Sequence, residues 1–185
     1  MIISLPKDIN PAFSRSCILK IDGSSNKPDR VIKETHEAVK QAKFLATSTN
    51  SCAVIIRQVP NQALYFKNDP RKGQSGRKED HLIAWTWKHF VNYPNQPDWL
   101  VRLPMTKSVR LAMDLVNEKI QFEKNRPTSS GRKWKNQFDD VIDEFTVLGR
   151  SKRGWATWTI AAVDKRVKAA MPIVLDCLNM RKIFG

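Results

Sequence analysis

Gly149-Arg150-Ser151-Lys152-Arg153-Gly154 is the stretch whose residue types and spacing could do chemistry. The apolar run at 145–148 feeds a Gly-x-Ser turn, and a helical pattern continues through Ala161, Ala162 and Val163. Strand, sharp turn and helix, with a serine at the bend, would hold a hydroxyl clear of the strand. It would stand beside the free N–H groups of a helix N-terminus, where developing negative charge is favoured. A nucleophilic serine needs that setting. The spacing departs by one residue from the commonest elbow, since GxSxxG stands here in place of GxSxG. The same turn also suits an ordinary helix cap, with the serine side chain satisfying orphan N–H groups.

A serine hydroxyl is a weak nucleophile until a base, usually histidine oriented by a carboxylate, takes its proton. The three histidines, His36, His81 and His89, all precede Ser151. Enzymes with such an elbow run serine, then acid, then histidine. The general base is therefore expected beyond Gly185, the chain reads as a fragment, and by itself it should be weakly active or inactive. Asp176, after the apolar residues 173–175, is the candidate acid, with a turn or cap as its alternative role. The backbone N–H of Lys152, directly after the nucleophile, is the natural first oxyanion donor, and the Gly23-Ser24 turn could supply a second. Lys152 and Arg153 would suit an anionic substrate or point into solvent. Trp155, beside Gly154, could stack on a substrate or pack a helix on the sheet. Asp164 reads as a helix-end ion pair, and the histidines as structural.

Alternating patterns must position these residues. Residues 16–21 read as a strand ending in the turn-forming cluster at 22–26. Lys27-Pro28-Asp29 can open a helix, and Val31, Ile32, Ala38, Val39, Ala42, Phe44 and Leu45 carry its apolar stripe. Residues 52–59 read as a buried strand, 81–91 and 106–122 as helices, and 145–148 and 169–175 as strands on either side of the helix after Ser151. Repeated strand-helix-strand units predict an α/β fold: a parallel sheet with helices on both faces, whose ligands bind beyond the carboxyl ends of the strands. The turns at 22–26, 59–62 and 149–152 would meet at that edge. Basic polar stretches at about 67–80 and 125–137 read as solvated loops within a single domain spanning 1–185.

The string GRSKRGWATWTIAAVDKRVKAAMPIVLDCLNM at 149–180 joins several upstream pieces. These are Val59-Pro60-Asn61-Gln62 with Leu64 and Phe66, Glu79-Asp80 followed by residues 82–87, and Trp99 with residues 103–108 and 112–114. Together, and in this order, they resemble the PhoPQ-activated pathogenicity-related protein family over most of the chain from about residue 50. The resemblance implies an α/β-hydrolase-like fold with a serine nucleophile, often on exported proteins, with a poorly defined activity. Proteins of this kind are longer, so the domain is expected to be partial, with an exposed sheet edge. The reading that follows is a serine hydrolase-type domain, acting on an ester or amide by acyl transfer through Ser151. The competing reading is a non-enzymatic secreted or surface interaction protein on the same scaffold, binding a partner or polyanion.

At 185 residues and 41% hydrophobic, the chain is long enough for one domain with a real core. No run of eighteen apolar residues occurs, which excludes a transmembrane helix, and the N-terminus lacks a signal-peptide pattern. Cys17, Cys52 and Cys177 are odd in number and widely spaced, which argues against a disulfide framework and a zinc site. The first two read as small core residues. No cofactor or metal is indicated. The net charge of +14 raises affinity for anionic surfaces or polymers, including nucleic acid. Trp134 between Lys133 and Lys135 could stack on a base, but no recognised nucleic-acid motif accompanies it.

Overall fold

The computed structural model describes residues 1–24, 32–71, 75–125, 138–139 and 141–175. Five strands form one sheet in the order β1-β3-β2-β4-β5. They are β1 (Ile2–Ser4), β2 (Ser16–Ile21), β3 (Cys52–Ile56), β4 (Glu144–Arg150) and β5 (Val167–Ile173). The pairs β2–β3, β2–β4 and β4–β5 are parallel, whereas β1 runs antiparallel to β3. The sheet is thus parallel, as expected, from β3 through β2 and β4 to β5, with one antiparallel edge strand. An antiparallel edge strand needs no crossover helix, so it leaves no strand-helix-strand pattern to read.

The central strands follow from their side chains. Every residue of β3, Cys-Ala-Val-Ile-Ile, is buried, as an apolar run covered on both faces requires. Along β2 and β4 alternate residues, Cys17, Leu19 and Ile21 with Phe145, Val147 and Gly149, turn into the core. β5 lies at 167–173 rather than 169–175.

Helix α1 (Glu37–Thr49) covers one face, where Ala38 and Ala42 pack on Ile55 and Ile2. It starts later than the Lys27-Pro28-Asp29 signal suggested. Ile32 precedes it, residues 25–31 lie outside the described residues, and His36 supplies the cap, its Nδ1 accepting from the Ala38 N–H at 3.0 Å. The other face carries the main core, with α2 (Glu79–Asn92), α3 (Arg102–Asn125) and α4 (Lys152–Val163). Met105, Val109, Ala112, Met113, Val116 and Ile120 form the buried stripe of α3 at helical spacing. They join Leu19, Val54, Phe145, Val147 and Ile160 in one cluster. Helices therefore lie on both faces of an α/β fold.

In the described part of the basic stretch at 67–80, side chains are tied to one another. Arg77 bridges Leu64 in antiparallel fashion and donates from Nε and Nη2 to Asp69 at 2.6 and 2.8 Å, and Asp69 also takes Arg71. The Arg77 guanidinium holds the Asp69 carboxyl well below the usual range. Helix α2 begins at Glu79, inside the expected loop. Of the second basic stretch, residues 126–137, Trp134 included, lie outside the described residues.

Candidate functional site

Strand β4 ends at Arg150, α4 begins at Lys152, and Ser151 alone makes the corner. Its backbone sits at φ 54° and ψ −121°, a positive φ that a non-glycine residue adopts only under constraint. The constraint is visible: the Ser151 N–H donates to the Ile173 carbonyl at 2.8 Å, tying the bend to β5. Although Ser151 occupies the cap position, its side chain makes no capping bond, and its backbone is not the extended form that caps use. The Ser151 side chain therefore does not serve as the helix cap.

Two glycines let helix and strand approach so closely. A Cβ on Gly149 would stand 2.5 Å from the Arg153 carbonyl oxygen and 2.8 Å from Thr157 Oγ1. One on Gly154 would stand 3.2 Å from the Gly149 carbonyl oxygen. The second glycine of GxSxxG is therefore the residue that packs α4 back against β4, and its displacement by one position leaves a side chain at residue 153.

Ser151 lines an open cavity of about 570 Å³ at the carboxyl edge of β2 and β4, with Lys20, Asp22, Gly23, Ser24, Glu79, Arg150, Arg153 and Ile173 among its walls. The turns expected to meet do meet. Asp22 to Ser24 is pinned to the end of β3: Asp22 N–H donates to the Ile56 carbonyl, and the N–H groups of Gln58 and Val59 donate to the carbonyls of Gly23 and Asp22. The Gly23 N–H is taken by Asp22 Oδ1 at 3.0 Å. Ser24 is different. It sits at φ 127°, and its buried Oγ has no hydrogen-bond partner among the described residues.

Arg153 fills the gap between these turns. Its Nε donates to the Val59 carbonyl at 2.7 Å, and Nη1 and Nη2 donate to the two carboxylate oxygens of Glu79 at 2.9 and 2.7 Å. Gln62 completes the cluster, accepting from the Glu79 N–H at 2.8 Å and donating to its carboxylate. Chiefly because of Arg153, and against the cost of burial, the Glu79 carboxyl is pushed down to about 2. Lys152 Nζ lies 3.4 Å from Glu79 and 3.2 Å from Asp80. The two cations that flank Ser151 thus meet carboxylates of the chain itself, rather than standing free for an anionic substrate.

Other candidates lie elsewhere. The Trp155 ring is covered by Arg102, whose guanidinium carbon is 3.3 Å from the ring centre, and Trp155 is not among the cavity's walls. His36 caps α1, His89 stacks on Trp99 with centroids 3.6 Å apart, and His81 is exposed; none lines the cavity. Asp164 takes Arg166 at 2.7 Å as a helix-end ion pair, and Arg166 also reaches Asp114. Cys17 and Cys52 sit opposite each other on β2 and β3, both free and buried. Asp176 and Cys177 lie outside the described residues. Among the described residues no group of three or more His, Cys, Asp or Glu could hold a metal ion, and no helix is long and apolar enough to cross a membrane. Sequence reasoning missed the Gln62-Glu79-Arg153 cluster, although all three residues stand inside the runs that carry the family resemblance.

The family model described as PhoPQ-activated pathogenicity-related protein matches residues 1–185. A curated relative, autocrine proliferation repressor protein A of Dictyostelium discoideum, is 35% identical over 178 residues, which cover 96% of this chain and 31% of the relative. The chain thus spans about a third of the length of the relative it matches. No solved structure matches the chain.

Proposed function

The chain belongs to the PhoPQ-activated pathogenicity-related protein family, and from that premise we propose that it carries the nucleophile-bearing part of an α/β-hydrolase-like domain. The observation that carries this reading is the backbone of Ser151, at φ 54° and ψ −121° between a parallel strand and an uncapped helix start. The helix start that follows it leaves the N–H groups of Lys152 and Arg153 without a partner within the helix. In the reaction, Ser151 Oγ attacks the carbonyl carbon of an ester or amide and its proton passes to a base. The carbonyl oxygen gathers negative charge against the Lys152 N–H, with Ser24 on the facing turn as second donor. The leaving alcohol or amine departs with the proton, and water then releases the acyl group from Ser151.

Asp22 and Glu79 line the cavity, yet Asp22 holds the Gly23 N–H and Glu79, held near 2, is a poor acceptor at neutral pH. Neither carboxylate is therefore assigned as the base, which belongs on this reading to the longer protein that the chain only partly spans, with Asp176 as the candidate acid. A fluorophosphonate probe tests the reading on a full-length protein that carries this chain. Intact mass should show one phosphonyl adduct on Ser151, absent from Ser151→Ala. A wild-type protein that never forms the adduct would refute it.

The relative's name, autocrine proliferation repressor protein A, favours a second reading: a hydrolase scaffold that acts by binding a partner outside the cell. The net charge of +14 suits an anionic partner surface. On this reading Ser151→Ala keeps the biological effect, and binding weakens steeply with salt.

A further inference from the structure

Resting on Ser151 as the nucleophile, we propose that Arg153 is a positioning residue, fastening the Asp22-Gly23-Ser24 turn and the start of α2 to the elbow so that their donors face the same cavity as the serine. Arg153 stands two residues after Ser151, where the commoner elbow has its second glycine. Here that glycine has moved to 154, and the side chain so admitted reaches three separate segments. It donates to the Val59 carbonyl from Nε and makes a two-pronged contact with Glu79 from both Nη atoms. Its planar face also lies against Gly23, where a Cβ would stand 2.6 Å from Nη2.

Only 12% of the side chain is exposed. A planar fork with fixed donor directions sets distances between its partners, which a lysine ammonium does not. The turn bearing Ser24 has no other described attachment to α4 or α2 in this neighbourhood. Its bonds run instead to Ile56, Gln58 and Val59, and Val59 is itself the acceptor for Arg153. The guanidinium thus joins the nucleophile's helix to the opposite wall of the cavity. Three of the five guanidinium N–H donors are engaged by Val59 and Glu79, and Ser151 and Ser24 are the hydroxyls left to meet the substrate.

The test is the rate of fluorophosphonate labelling of Ser151 in the same full-length protein, wild type against Arg153→Ala and Arg153→Lys. Loss of the fork should slow labelling roughly ten- to hundredfold in both variants, as misplacement of reacting groups does. Millimolar methylguanidinium should restore most of the rate in Arg153→Ala, whose vacated site it fits, and none in Arg153→Lys. Hydrogen exchange at residues 22–24 and 58–59 should quicken in Arg153→Ala and slow again with methylguanidinium. Labelling at the wild-type rate in Arg153→Ala overturns the proposal, as does a loss that methylguanidinium leaves untouched. Wild-type protein that does not label at all fails the nucleophile reading instead, and this inference with it.

Discussion

Ser151 carries a cost that only its surroundings explain. Non-glycine residues outside the favoured backbone regions store about 1–3 kcal/mol, and such strain gathers at functional corners. At φ 54° and ψ −121° the Cβ of Ser151 is the source of that strain. Removing it should therefore help the fold. Ser151→Gly relieves the strain but adds freedom to the unfolded chain, which costs about 0.5–1 kcal/mol. The balance leaves it roughly 1 kcal/mol more stable than Ser151→Ala, which keeps the Cβ. Urea midpoints of the two variants check this. Equal midpoints would mean that the corner is relaxed and that its geometry was not held for the hydroxyl. The corner was legible in the sequence because its determinants are local: an apolar run, Gly149, Ser151, and a helix pattern. The occupancy of the Gly23 N–H by Asp22, and the covering of Trp155 by Arg102, were not, since both depend on where side chains turn.

Between elements, the pair formed by the first residue of α2 and the second of α4 has a pH signature. Arg153, helped by Gln62, lowers the Glu79 carboxyl from 4.5 to about 2 in the folded chain. Because the folded value is the lower one, the contribution is complete above the unfolded value and fades as pH falls from about 4.5 toward 2. Glu79→Gln cannot titrate, so its stability should fall less steeply than wild type across that window, with the two lines parallel above it. Urea midpoints from pH 6 downward measure the difference; lines that stay parallel to the acid end would mean that the pair contributes no linkage. This contact shows where sequence reading stops. Glu79 and Arg153 lie 74 residues apart, and no periodicity marks a side-chain contact of that range. By contrast the alternation of β2, the continuous apolar run of β3 and the helical stripe of α3 are local patterns and were readable. The three residues of β1 were too few to show a period, and the start of α1 was set by His36 rather than by the nearer proline signal.

At the scale of the molecule, the sheet of the described residues is finished on one side and open on the other. β1 closes one edge with a short antiparallel strand, a usual way of blunting an edge, whereas no described strand pairs with the outer edge of β5. The flank of β5 is apolar as well: Met171 is 54% exposed and Ile173 40%. Both sit on the face opposite α4, in register with Leu148 and Arg150. Such an edge invites a second chain, while the net charge of +14 pushes copies apart. Salt decides between these effects, because screening shortens the repulsion to about 10 Å at 0.1 M and leaves apolar and backbone pairing intact. Self-association of this chain should therefore rise with protein concentration and, unlike an electrostatic association, with ionic strength. Met171→Lys adds a charge at an exposed position, where it disturbs no packing, and should return the chain toward monomer at the same salt. Sedimentation velocity across a salt series reads both effects. Wild-type chain that stays monomeric at high salt, or Met171→Lys that associates as readily, would show that the β5 edge is not the sticky surface its geometry implies.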